Sequence, residues 1–209
     1  MRFRRSEAAL LLVDLQRGFL HPEGFVAAQG RDVSDCAAAA QQCYALARVA
    51  REAGMPVIWT RHVLRPDHAD GGLLTTELRP RLGQIGALAH GTADVEIPAE
   101  GGVEPCDFVL DKPRYSAFFG TALDMLLAAR GIRALMVGGV TTSMCVESSV
   151  RDAAQRDIRT FVVRDAVADF DPARHAASLS AMAFGFARVI GAGAAADAIA
   201  AGTAEFPAT

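Results

Sequence analysis

The sequence predicts a three-layer α/β/α domain on a central, mostly parallel, six-stranded sheet, Rossmann-like in its winding. Two observations carry this. Short apolar runs rich in Val, Ile and Leu alternate along the chain with segments of helical spacing. No internal repeat and no Pro-, Gly- or Ser-rich linker divides the 209 residues, so residues 1–209 are expected to form one domain.

The elements follow in order. Ala8 to Asp14 reads as the first strand. Ser34 to Ala53 is Ala-rich and helical, with Ser34 as the expected N-cap and Gly54 as the stop. Pro56 to Arg61 is the second strand. His62 to Pro105 is rich in Gly and Pro and predicts short helices and surface loops covering a site. Asp107 to Asp111 is the third strand, and Thr121 to Arg130 is a helix ended by Gly131. Arg133 to Val137 is the fourth strand, followed by a helix over Ser143 to Arg156. Thr160 to Arg164 is the fifth strand, Pro172 to Phe184 a helix, and Ala187 to Ile190 a short sixth strand. The Ala-rich tail, Ala192 to Thr209, reads as part helix and part frayed end.

Composition narrows the function. Hydrophobic residues make up 51% and charged residues 22%, the balance of an ordinary soluble globular protein. Lys plus Arg is 21 against 24 Asp plus Glu, a formal net charge of −3. With no basic block, no nucleic-acid or membrane-surface partner is expected. No apolar stretch is long enough to span a bilayer, and the basic N-terminus runs into a short apolar strand rather than a signal core. The four cysteines lack framework spacing, which points to a reducing, cytoplasmic compartment. Cys36, Cys43 and Cys106 read as structural.

Cys145 is different. It follows Gly138-Gly139-Val140-Thr141-Thr142-Ser143-Met144, just past a buried strand and in the expected first turn of a helix. Unpaired N–H groups and the positive end of a helix dipole there favour thiolate, the nucleophilic form. A small buried Cys that only packs is the alternative. Ligands in such sheets bind beyond the carboxyl ends of the strands. Asp14 ends the first strand, Arg61 and His62 the second, Lys112 the third, and Thr141 and Cys145 lie beyond the fourth. Asp14 can take the thiol proton, and Lys112 can hold that carboxylate and stabilise developing negative charge. Singly, each has a plainer reading as a cap, a salt-bridge partner or a solvated charge.

Three stretches resemble the isochorismatase-like cysteine hydrolases. They are Asp14-Leu15-Gln16 with Phe19, Lys112-Pro113-Arg114-Tyr115-Ser116-Ala117-Phe118-Phe119-Gly120-Thr121, and Gly139-Val140-Thr141-Thr142-Ser143-Met144-Cys145-Val146. The resemblance runs from about Leu10 to Ile190. The second and third stretches are most similar to ureidoacrylate amidohydrolases and biuret hydrolases, with N-carbamoylsarcosine amidohydrolases as near relatives. It implies a triad of Asp14, Lys112 and Cys145, and a cis peptide at Val140–Thr141. It further implies an oxyanion hole from the backbone N–H groups of Thr141 and Cys145.

The implied activity is hydrolysis of a small linear amide, ureide or carbamoyl compound through a thioester, without a cofactor. A homodimer or homotetramer is also implied, its pocket sometimes completed by a neighbour. A nicotinamidase- or maleamate-like amidase, a thiol redox sensor and an idle binding protein stand as alternatives.

The metal pattern of nicotinamidases, Asp-x-His after the second strand, is not matched. His62 stands at the Asp position and Leu64 at the first His. No metal is therefore expected, and Asp67 and His68 read as loop residues near a pocket rim. His62 either faces substrate or hydrogen-bonds a loop. Phe19, Tyr115 and Phe118 are candidates for the pocket wall, with core burial the alternative. Gln16 is a candidate for substrate or for support of Asp14. Glu147 and Asp152 are expected to pair with Arg, and His175 to be a surface residue.

Overall fold

The computed structural model describes residues 1–207. The chain starts with a short strand, β1 (Arg2–Arg4), and enters the main sheet as β2 (Ala8–Val13). A one-turn helix, α1 (Arg17–Leu20), precedes the long α2 (Ser34–Glu52) and then β3 (Val57–His62). After α3 (Pro80–Gln84) come β4 (Phe108–Lys112), α4 (Leu123–Ala129) and β5 (Ala134–Val140). The chain closes with α5 (Glu147–Ala154), β6 (Arg159–Ala168), α6 (Pro172–Gly185), β7 (Arg188–Ile190), α7 (Ala192–Ala201) and β8 (Thr203–Glu205).

Six strands form one parallel sheet in the order β4-β3-β2-β5-β6-β7. This is the doubly wound order, with its reversal between β2 and β5. Helices cover both faces, so β2 is buried along its whole length and its residues alternate between two cores. Ala8, Leu10 and Leu12 pack with α2 and α7, while Ala9, Leu11 and Val13 pack with α4, α5 and α6. The expected six-stranded architecture is thus present.

Several local expectations need correction. Ser34 is not the cap of α2; Val33 holds that position, and the Ser34 N–H donates to Asp32 Oδ1 at 2.8 Å. Gly54 does close the helix, at φ 71°. The helix expected over Ser143 to Arg156 begins instead as a π-helical turn, Thr142–Val146, before α5. β6 runs on to Ala168, further than its apolar core Phe161-Val162-Val163 announced. The two-stranded antiparallel sheet of β1 and β8 was not expected. Of the tail, α7 and β8 are seen; Ala208 and Thr209 lie outside the described residues.

The stretch 62–105 does fold as short helices and loops. A π-helical turn (Leu74–Leu78) and α3 pack Leu74 and Leu82 with Leu88 and Val95 against Phe25, Val26 and Val33. This third apolar cluster gives that stretch a fixed packing. Among the described residues, no helix is long and apolar enough to cross a membrane.

Candidate active site

The carboxyl ends of β2, β3, β4 and β5 meet at the point where the strand order reverses. Asp14 turns out of β2 at φ 52°, a left-handed conformation that strains a non-glycine residue by about 1–2 kcal/mol. Its N–H is held by the Thr60 carbonyl at 3.1 Å, and its Oδ1 accepts from the Thr60 hydroxyl at 2.8 Å. Lys112 ends β4 in register with His62. Its Nζ lies 2.7 Å from Asp14 Oδ2 and donates to the Arg114 carbonyl at 2.9 Å. Both side chains of this ion pair are fully buried.

Cys145 sits in the π-helical turn after β5. Its Sγ lies within 4.8 Å of a carboxylate oxygen of Asp14 and a ring nitrogen of His62. The glycine pair before the turn explains how the strands approach so closely. A Cβ on Gly139, at φ 123°, would stand 2.1 Å from the Val13 carbonyl oxygen. A Cβ on Gly138 would meet Cys43 Sγ at 2.7 Å. The Val140–Thr141 peptide is cis. Hydrogen bonds brace the turn. Asp169 Oδ2 accepts from the Ser143 N–H (3.0 Å) and hydroxyl (2.6 Å), and the Ser149 hydroxyl donates to the Cys145 carbonyl (2.6 Å). Thr142 Oγ1 meets His175 Nδ1 at 2.9 Å, so His175 is half-buried support and not a free surface residue.

Electrostatics overturn one expectation. Burial pushes the Cys145 thiol well above its ordinary pKa, and the Asp14 carboxylate pushes it further, while Lys112 opposes both. The side chain is enclosed, and desolvation outweighs the favourable place at the head of a helix. Cys145 therefore rests as a thiol. Burial alone would lower Lys112, but Asp14 and Cys145 outweigh it and hold the ammonium above its ordinary value. Burial, followed by the Lys112 charge, lowers His62 to about 3, so its imidazole is neutral.

A cavity of about 170 Å³ opens above Cys145, small beside the roughly 300–1,000 Å³ of drug-sized ligand pockets. Of the residues singled out in the sequence, Cys145, Thr141, His62, Tyr115 and Phe19 line it. His62 presents a buried Nε2 with no hydrogen-bond partner and stands edge-on to the Tyr115 ring at 6.1 Å. Gln16 and Phe118 do not line the cavity. Gln16 clamps the His62 backbone at both N–H (2.6 Å) and carbonyl (3.0 Å). Phe118 is core, with the Arg156 guanidinium 4.5 Å over its ring. Asp67 pairs with Arg65 at 2.9 Å, and His68 meets the Ala87 carbonyl at 2.8 Å; neither borders the cavity. Glu147 pairs with Arg151 at 2.6 Å, and Asp152 lies 3.7 Å from Arg156 and accepts from Ser116.

Phe25, Arg79, Met144, Asp169, Phe170 and Arg174 also line the cavity and escaped the sequence reading. Asp169 carried a usable signal. It follows β6 as Asp14 follows β2, and the strand-end rule would have found it had β6 been read to Ala168. Arg79, in an aperiodic loop, carried none.

Asp14, His62 and Cys145 are the one trio of metal-ligating side chains that converges among the described residues. They fit a resident cation poorly. Lys112 already neutralises Asp14 Oδ2 at 2.7 Å, and an ion there would face a fixed ammonium. No disulfide joins Cys145 to another cysteine, and all four cysteines are free. Cys36 and Cys43 belong to the opposite core layer, and Cys106 precedes β4 at the far edge of the sheet.

Comparison with known proteins matches residues 8–194 to the isochorismatase domain family. The ureidoacrylate amidohydrolase RutB of Methylorubrum extorquens is 35% identical over 182 residues, 81% of this chain and 73% of that one. A cysteine hydrolase from Pseudomonas syringae pv. phaseolicola superposes with a TM-score of 0.86 at 30% identity, covering 95% of this chain and 94% of that one. An N-carbamoylsarcosine amidase from Thermoplasma acidophilum gives 0.69 at 26% identity, covering 89% and 96%.

Proposed function

The chain belongs to the isochorismatase family, and on that premise we propose that it is a cysteine-dependent amidohydrolase. It cleaves a C–N bond of a small linear amide, ureide or carbamoyl compound through a thioester. The observation that carries this reading is the buried Asp14–Lys112 pair set against Cys145 beneath a small, largely apolar cavity. The names of the amidohydrolase and amidase relatives support it.

In this mechanism the carbonyl carbon of the substrate meets Cys145 Sγ as Asp14 takes the thiol proton. Forming the charge pair only at attack answers the raised thiol pKa. Lys112 holds Asp14 in place and balances the negative charge on sulfur. The oxyanion is received by the backbone N–H groups of Thr141 and Cys145. Asp14 then hands the proton to the nitrogen, which leaves as ammonia or an amine. A water gives its proton to Asp14 and its oxygen to the thioester carbon. Collapse releases the acid and returns the proton from Asp14 to sulfur.

The test is ammonia release from biuret, ureidoacrylate, N-carbamoyl amino acids, maleamate and nicotinamide, with Cys145→Ser as the control. Turnover of one compound that vanishes in the variant is the expected result. Full activity in the variant would falsify the mechanism.

A further inference from the structure

Two buried acceptors beside Cys145 have no hydrogen-bond donor. Among the described residues, three buried side-chain polar atoms lack a partner: Asp14 Oδ2, His62 Nε2 and Arg188 Nε. Arg188 is on β7, at the far edge of the sheet. The other two belong to side chains that converge on the nucleophile. A carboxylate oxygen of Asp14, a ring nitrogen of His62 and Cys145 Sγ all lie within 4.8 Å of one another. Buried acceptors are nearly always satisfied, so two left unmatched in one place mark where a donor arrives.

His62 is built to accept. It is 2% exposed, and Gln16 clamps its backbone at both N–H and carbonyl. The Pro113 carbonyl takes a hydrogen bond from the ring, and with Nε2 unpartnered that bond belongs to Nδ1. The free lone pair is then on Nε2. Burial and the Lys112 charge keep the imidazole neutral, so it accepts a hydrogen bond without taking the proton. Lys112 does not fill Nε2. Its Nζ donates to the Arg114 carbonyl at 2.9 Å and pairs with Asp14 Oδ2 at 2.7 Å.

Resting on the thioester reading, we infer that His62 Nε2 is a further catalytic group, the acceptor that holds the hydrolytic water against the acyl-enzyme. Water brings two hydrogens to two unmatched acceptors. An oxygen about 2.8 Å from each, at water's own angle, needs them about 4.5 Å apart, a span that the 4.8 Å limit admits. One hydrogen points at Asp14 and the other at His62, which turns an oxygen lone pair toward the thioester carbon on Sγ. The oxygen–carbon bond forms as the first proton passes to Asp14. The carbon–sulfur bond then breaks, and Asp14 returns that proton to sulfur. The second hydrogen leaves on the carboxylic acid, and His62 ends as it began.

The experiment uses p-nitrophenyl acetate, which acylates a reactive thiol whatever the natural amide is. Its burst of p-nitrophenolate separates acylation from the deacylation that follows. The full chain is compared with His62→Leu, His62→Asn and His62→Gln, with Cys145→Ala as background. Leucine has no acceptor, an asparagine carboxamide stops short of the Nε2 position, and a glutamine carboxamide reaches it. His62→Leu and His62→Asn should acylate within about threefold of the native rate and deacylate about tenfold or more slower, with acetyl-enzyme seen by intact mass. His62→Gln should recover most of the deacylation. Burst amplitude counts the competent sites, so poor folding is not read as slow chemistry. Methanol added as a competing nucleophile gives the sharpest readout. Its single O–H goes to Asp14 and makes no use of His62. The ratio of acetate to methyl acetate should therefore fall about tenfold in His62→Leu and His62→Asn, whereas a merely distorted site slows both products alike. Native deacylation, or an unchanged ratio, in those two variants overturns the inference and leaves the thioester reading standing. A native chain that forms no acetyl-Cys145 overturns both.

Discussion

Replacing Lys112 by Met should damage stability and activity together, and a second substitution should separate them. In the native chain the ammonium and the Asp14 carboxylate stand 2.7 Å apart, both fully buried. At an effective dielectric of about 20 their attraction is about 6 kcal/mol, and desolvation of the two ions takes back most of it. The intact pair thus adds little net stability. Lys112→Met leaves the Asp14 carboxyl buried and without its counter-ion, with the Thr60 hydroxyl still donating at 2.8 Å. Losing one partner of a buried pair costs about 3–5 kcal/mol. Asp14→Asn in the same chain removes the stranded carboxyl and should recover at least half of that loss. Urea unfolding monitored by Trp59 fluorescence gives the stabilities, and ammonia release gives the activities. In the proposed mechanism Asp14 is the base, so activity should stay absent in the double variant even as stability returns. A loss below about 1 kcal/mol for Lys112→Met, or a double variant less stable than the single, would refute the reasoning.

Two further outcomes follow from the same geometry. His62 is neutral when folded, with its pKa held near 3, whereas an unfolded His takes a proton near 6.5. Its contribution is therefore complete above pH 6.5 and fades as pH falls toward about 3. Between pH 6.5 and 5 the native chain should lose about 2 kcal/mol more than a His62→Asn chain, read from urea midpoints; parallel pH profiles would rule this out. Gly139→Ala puts a Cβ 2.1 Å from the Val13 carbonyl oxygen at a backbone φ of 123°. It should destabilise by about 3 kcal/mol or more and displace Asp14, so wild-type stability and turnover in that variant would show the close approach to be dispensable.

Much of this was legible in the chain because it rests on local pattern. The buried runs Ala8 to Val13 and Ala134 to Val137 have no polar face, which only a sheet covered on both sides explains. The doubly wound fold brings strand ends to one edge, so Asp14, Lys112 and Cys145 could be grouped before any coordinates. The terminal sheet could not, because it pairs two three-residue strands about two hundred residues apart with only Phe3 fully buried to mark it. Nor could the π-helical turn, since a single extra residue in a helical register leaves the apolar spacing nearly unchanged.

What the sequence alone determined was the layer architecture, the order of its elements and the grouping of Asp14, Lys112 and Cys145 at one sheet edge, because periodicity and strand ends are written residue by residue. Tertiary structure decided the rest. It enclosed Cys145 and so reversed the expected direction of its pKa. It turned Gln16 and Phe118 away from the cavity, and brought in Asp169 from β6 and Arg79 from an aperiodic loop. Desolvation and charge balance depend on what surrounds a group in space, and those neighbours come from segments far apart in the chain.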